Sequence, residues 1–204
     1  MSLRAMIASW GAPAVEFVGK ASHNELTSGV PLHANAREGD YALFLYFPPR
    51  TISGGSGTAW NIENVMASTA KLAHRRLEPG DLTTPITLDD VSPVISLVYR
   101  GPVGISAERT SVAFTGTSVT MTGFTKSANA VAMIGLLHGD GDLGILSMTV
   151  GLPWASGEIQ GPDAWFEGVY YLNDMAGYTN GAGIGVNGSA VVANKYAAVY
   201  ELLY

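Results

Sequence analysis

A chain of 204 residues, 47% of them hydrophobic and 14% charged, is long enough for one large β domain and carries less charge than the roughly 25% usual in soluble domains. Its surface is therefore rich in Ser, Thr, Asn and Gly or is covered by partners, so a homo-oligomer or a multi-protein assembly is expected. A net charge of −6, with His74-Arg75-Arg76 as the only tight basic cluster, gives no footprint for nucleic acid, and the absence of Cys excludes disulfide and thiol chemistry.

Residues 1–13 are expected to form an N-terminal arm or short helix that anchors on a neighbour. Met1 to Trp10 holds one positive charge and too short an apolar run for a secretory segment, so no signal peptide is expected. No run reaches the roughly 18 apolar residues of a membrane span, and membrane insertion is not expected. Residues 14–204 read as a single domain, because no repeat or clean boundary divides them.

Along that domain, residues 14–20 suit a first strand stopped by Gly19, followed by a polar connector over 21–29 and a brief strand at Val30-Pro31-Leu32-His33. The Glu38-Gly39-Asp40 turn leads into residues 41–47, which are apolar throughout and belong in the middle of a sheet with both faces covered. Residues 48–58, with two prolines and Gly54, Gly55 and Gly57, read as an exposed loop. The segment 65–77 alternates Leu72, His74 and Arg76 with Lys71, Ala73 and Arg75 and is predicted as strand. Further strands are predicted at 94–99, 103–108, 111–114, 117–122, 129–137, 144–150, 164–172, 189–193 and 196–203. The strands at 164–172 and 196–203 are expected to form a long hairpin around the glycines of 177–188. The sum is an all-β, antiparallel β-sandwich or jelly roll of about eleven or twelve short strands with little helix.

Motifs that suggest chemistry are each matched by a simpler use. Gly183-Ile184-Gly185-Val186-Asn187-Gly188 has the letters of a dinucleotide loop, yet neither a following helix nor an acidic ribose ligand is readable, so no nucleotide cofactor is expected. Asp140 and Asp142 lie two apart in a Gly-rich turn, the spacing of a Ca2+ loop. Gly151 stands where the closing Glu of an EF-hand belongs, and Asp-Gly is also a hairpin signal, so Asp140 and Asp142 are weak metal candidates for a structural Ca2+ at most.

His23, His33, His74 and His138 are dispersed, without a second ligand at metal spacing. Gly54-Gly55-Ser56-Gly57-Thr58 misses the nucleophile elbow at its last position. Asp89 with Asp90, or Glu158 with Asp163, would supply paired carboxylates for glycoside cleavage, but their separation across the fold is unreadable. No catalytic residue is assigned.

The aromatic set is more informative. Trp154 lies in the loop-like Gly151-Leu152-Pro153-Trp154-Ala155-Ser156-Gly157, and Trp60 adjoins the Gly/Ser loop and Asn61. An exposed indole beside Asn, Asp and Ser groups is how protein surfaces hold sugar rings, so Trp60, Trp154, Asn61 and Asp163 form a candidate carbohydrate-binding set. Against it stands the ordinary use of Trp to cap a core at its rim.

From Val15 to Val131 the chain resembles β-sandwich virion proteins of tailed phages, prophages and phage-derived particles. The resemblance is carried by Val18-Gly19, Glu38-Gly39-Asp40 before 41–47, Trp60 after a Gly-rich loop, and Leu72-Ala73-His74-Arg75-Arg76 near Gly80-Asp81. It continues through Val98-Tyr99-Arg100-Gly101 and through Thr117-Ser118-Val119-Thr120 before Ala128-Asn129-Ala130-Val131. That family usually has Pro-x-Gly-Trp where this chain has Thr58-Ala59-Trp60. The resemblance implies a non-enzymatic spike, fibre or decoration component of a virion, partnered by other virion proteins and used for host attachment through a cell-surface polysaccharide. The alternative from another class is a secreted carbohydrate-active enzyme or its binding module.

Overall fold

The structure is a computed structural model that describes residues 15–46, 50–65, 70–101, 104–123, 125–139, 147–149, 155–160, 166–172, 175, 178–187 and 195–204. The segment 1–13 and the turn at Asp140 and Asp142 lie outside the described residues. So do Trp154, Asp163 and the strand predicted at 189–193.

The chain is all-β, and every described strand pair is antiparallel. The first six-stranded sheet runs β1 (Glu16–Ser28), β6 (Ile86–Arg100), β2 (Tyr41–Tyr46), β5 (Ala70–Arg76) and β4 (Asn61–Val65), with β3 (Ile52–Gly54) beside β6. The second runs β12 (Ala155–Gln160), β13 (Phe166–Leu172), β10 (Ala130–Gly139), β15 (Lys195–Leu203) and β7 (Gly104–Ile105), with β8 (Thr110–Phe114) beside β15. A three-stranded sheet orders β11 (Ser147–Thr149), β14 (Ile184–Asn187) and β9 (Ser118–Met121). Apart from the two- or three-residue pieces β3, β7 and β11, the described strands number twelve, as expected.

Three hydrophobic clusters explain the layering. Between the two large sheets, Leu43, Leu45, Leu72, Ile95 and Leu97 of the first pack against Ile134, Leu136, Ala198 and Leu202 of the second. On the outer face of the second sheet, Met133, Leu137, Ala197 and Val199 are covered by Met121, Ile184 and Val186 of the small sheet. On the outer face of the first, Ala42, Phe44, Tyr46 and Ala73 are covered by Val30, Ile52, Trp60 and Leu77. All six residues of β2 are consequently buried, as its unbroken apolar run predicts.

Pro93 sits inside the long strand β6, where a residue without an N–H would break a continuous ladder. The neighbours accommodate it. On one side the β1 register shifts between His23, opposite Val94, and Leu26, opposite Ser92. On the other, the described part of β2 ends at Tyr46, opposite Val94, and β3 pairs with β6 from Leu88 to Ile86.

Several expectations are corrected. Residues 21–28 continue β1 along the edge of the sheet instead of forming a connector. Val30 donates a single backbone bond to the Ile86 carbonyl, 2.7 Å, and the chain then turns at Ala34-Asn35, so no strand forms there. The loop 48–58 contains β3, whose Ile52 is buried. Residues 166–172 and 195–203 do not pair as a hairpin; β10 lies between them and bonds to both. The Gly-rich stretch between them supplies β14 to the small sheet.

Candidate functional site

Strand β5 brings the main polar groups together, because its alternation sends successive side chains to opposite faces. Arg75 points outward and His74 inward, and each is buried.

On the outer face the Arg75 guanidinium carbon lies 4.2 Å from the centroid of the Trp60 ring, and Phe44 meets that ring edge-on at 5.0 Å. Trp60 is only 8% exposed. With one neighbour on its face and another at its edge, it is a core residue and offers no indole platform to a sugar, which corrects the reading of Trp60 as an exposed binding residue. Asn61 is exposed as the first residue of the edge strand β4. The structure thus separates two adjacent members of the predicted set, while Trp154 and Asp163 lie outside the described residues.

Arg75 is held by Asp81, whose side chain is fully buried. Asp81 Oδ1 also accepts the Ser56 amide at 2.9 Å, and Oδ2 accepts the Glu78 amide at 2.8 Å. Arg75 Nη1 reaches Ser56 Oγ at 3.0 Å. One carboxylate therefore fastens the Gly-rich loop to the turn Pro79–Leu82 and to β5. Gly55 is required in this arrangement: its φ is +69°, and the Asp81 carboxylate occupies the space a Cβ would need. The letters Gly54 to Thr58 encode a fastened turn, with Ser56 engaged in it.

On the inner face, Tyr41 Oη lies 2.6 Å from His74 Nδ1. His74 Nε2 approaches Glu63 Oε1 at 3.5 Å, an ion-pair distance with no hydrogen bond formed. Burial pushes the Tyr41 phenol up to about 12, against the backbone amide of Ile105 and the charge of Arg76, which favour its ionised form. Burial likewise lowers His74, and Glu63 opposes that effect without overcoming it. From the second sheet, Tyr200 Oη lies 3.3 Å from Glu108 Oε2, and burial followed by the Glu108 charge raises this phenol too. A seam of two phenols, one imidazole and two carboxylates thus closes one end of the sandwich.

Two further ion pairs act as loop anchors. Arg100 forks onto Asp40 at 3.0 and 3.1 Å and extends to Glu16, tying the Glu38-Gly39-Asp40 turn to β6 and β1. Glu201, fully buried, accepts from Arg109 at 3.2 Å and from the Ser127 amide and hydroxyl at 2.9 and 2.6 Å. An open groove of about 430 Å³ runs beside Val30, Leu32, His33, Leu82, Thr84 and Ile86. Among the described residues no three His, Asp or Glu side chains gather at metal-binding distances.

The buried seam and the Asp81 fastening were both missed in the sequence. The alternation read in β5 already puts His74 and Arg75 on opposite faces, but their partners Tyr41, Glu63 and Asp81 come from separate segments. No protein-family model, curated protein or solved structure matches the chain.

Proposed function

We propose that this chain is a non-enzymatic structural module of a phage or phage-like particle, a spike, fibre or decoration component that holds surfaces in place as one of several copies. The observation that supports it most is the use made of buried charge. Asp81, Asp40 and Glu201 each bind backbone amides or an Arg from a distant segment, so these groups fasten loops onto sheets. Two large sheets covered on both faces and a chain low in charge suit a module that works by packing against neighbours.

Host attachment through a polysaccharide is the finer part of this reading. With Trp60 buried, it rests on Trp154, Asp163 and the exposed Asn61, and display of several copies would raise weak binding by about 10² to 10⁴. Light scattering of the purified chain, paired with glycan binding of wild type and Trp154→Ala, tests both parts. A defined oligomer is expected, with glycan binding lost in the variant. A monomer at high concentration would overturn the assembly role, and binding unchanged by Trp154→Ala would overturn the proposed attachment surface.

A further inference from the structure

We propose that the outer edge of β4 is an interface at which two copies of this chain pair antiparallel about a twofold axis at Ile62, joining their first sheets into one. The inference names a contact behind the reading of the chain as one of several copies, and it rests on that reading.

The two edges of the first sheet are built differently. β1 closes one side with Lys20 and with register shifts between Phe17 and Gly19, between His23 and Leu26 and between Leu26 and Ser28. Charges and irregularities of this kind keep a foreign strand from adding to an edge. β4 closes the other side without them: its five residues pair with β5 in unbroken register, none is Pro or Lys, and Glu63 carries the only charge. Among the described residues β4 pairs with no strand but β5.

The direction of its backbone groups follows from the far side of β5. Just past β5, the Leu77 amide donates to the Asp40 carbonyl at 2.7 Å, and the Leu77 carbonyl accepts the Gly39 amide at 2.8 Å. Leu77 thus turns both backbone groups towards the β2 side, and these groups alternate in direction from one residue to the next along a strand. Arg75, Ala73 and Lys71 therefore also face β2, while His74, Leu72 and Ala70 face Asn61, Glu63 and Val65 of β4. Within β4 this leaves Ile62 and Asn64 with N–H and C=O directed away from the sheet. Both residues are exposed, and Ile62 presents a large apolar side chain that is 43% open.

The register of self-pairing is then fixed by charge. With the axis at Ile62, the two Ile62 residues form a hydrogen-bonded pair, and Glu63 of each copy lies opposite Asn61 of the other, a carboxylate across from an amide donor. With the axis at Glu63, the two Glu63 residues face each other in the closer, non-hydrogen-bonded pair, where like charges are destabilising. An axis at Asn64 sets Glu63 against the buried apolar Val65 and leaves Ile62 without an apolar partner. Five residues a side make a ladder smaller than a standard interface of about 800 Å² per partner, so the pairing is reversible and gains from several copies held together.

Light scattering of the intact chain over a range of concentrations, for wild type, Ile62→Lys and Ile62→Pro, tests the interface, with circular dichroism to follow folding. The outward N–H of Ile62 serves no bond to β5, so Ile62→Pro leaves that ladder in place. Wild type is expected to associate, with its dissociation constant raised about tenfold or more in both variants. Association unchanged in the variants would overturn this interface and leave the several-copy reading standing. A wild type that stays monomeric at high concentration would overturn both, and would leave the edge to a strand of another protein. Should the variants fail to fold, Ile62→Cys decides, because the chain has no Cys of its own and a hydrogen-bonded antiparallel pair holds its Cα atoms about 5.5 Å apart, within disulfide reach. Under mild oxidation Ile62→Cys is expected to cross-link two copies faster than Leu82→Cys, a site equally exposed and away from β4. Equal rates would overturn the pairing.

Discussion

His74 and Arg75 are consecutive residues of one strand, both buried and both beside a carboxylate, yet they serve in opposite ways. Arg75 is permanently charged, and its partner Asp81 is completely enclosed and also holds two backbone amides. His74 is neutral at ordinary pH, and its partner Glu63 is half open to water. The outer face therefore carries a fastening between a guanidinium and an enclosed carboxylate, whereas the inner face carries one whose basic group burial keeps neutral. What separates the two is the titration range of the cation and the solvent exposure of the anion, since both contacts involve a buried basic side chain.

The comparison is broken most severely on the outer face. Asp81→Ala would leave Arg75 buried without its carboxylate and free the Ser56 and Glu78 amides, and a loss of about 3–5 kcal/mol is expected in urea unfolding. A loss below about 1 kcal/mol would show that the fastening is dispensable. The inner face gives a smaller and pH-dependent effect. Tyr41→Phe removes the hydroxyl bonded to His74, at a cost of about 1–2 kcal/mol near neutral pH. The gap between Tyr41→Phe and wild type should change between about pH 7.5 and about pH 5, because a protonated His74 can only donate to the Tyr41 oxygen. A constant gap at both pH values would mean that the charge on His74 does not affect the bond.

Much of the sheet structure was legible from local pattern. The apolar run 41–46 demanded cover on both faces, and the alternation through 70–76 demanded a strand, because neither arrangement depends on a distant partner. Edge strands were less legible. Among the described residues, the polar stretches 21–28 and 155–160 each pair with one neighbour, and their sequences lack the apolar signature of central strands. Strand order was illegible for a different reason: nothing within 164–172 or 196–203 reports that β10 separates them.

Trp60 shows the same limit at the level of a site. Its sequence neighbours Gly57, Thr58 and Asn61 suggest exposure, and all three are exposed. The residues that cover the indole, Phe44 and Arg75, lie 16 and 15 positions away along the chain. The seam was hidden likewise, since Tyr41, Glu63, His74, Glu108 and Tyr200 meet only after both sheets have formed.

Amide hydrogen exchange at about pH 7.5 and about pH 5, corrected for the intrinsic rate, compares the two faces of β5 in one measurement. The amides that pair β4 with β5 beside His74 should lose protection on acidification, while the Ser56 and Glu78 amides held by Asp81 keep theirs. Equal protection of the β4–β5 amides at both pH values, or a parallel loss at all of these amides, would contradict a division between the His74 side and the Asp81 side of β5.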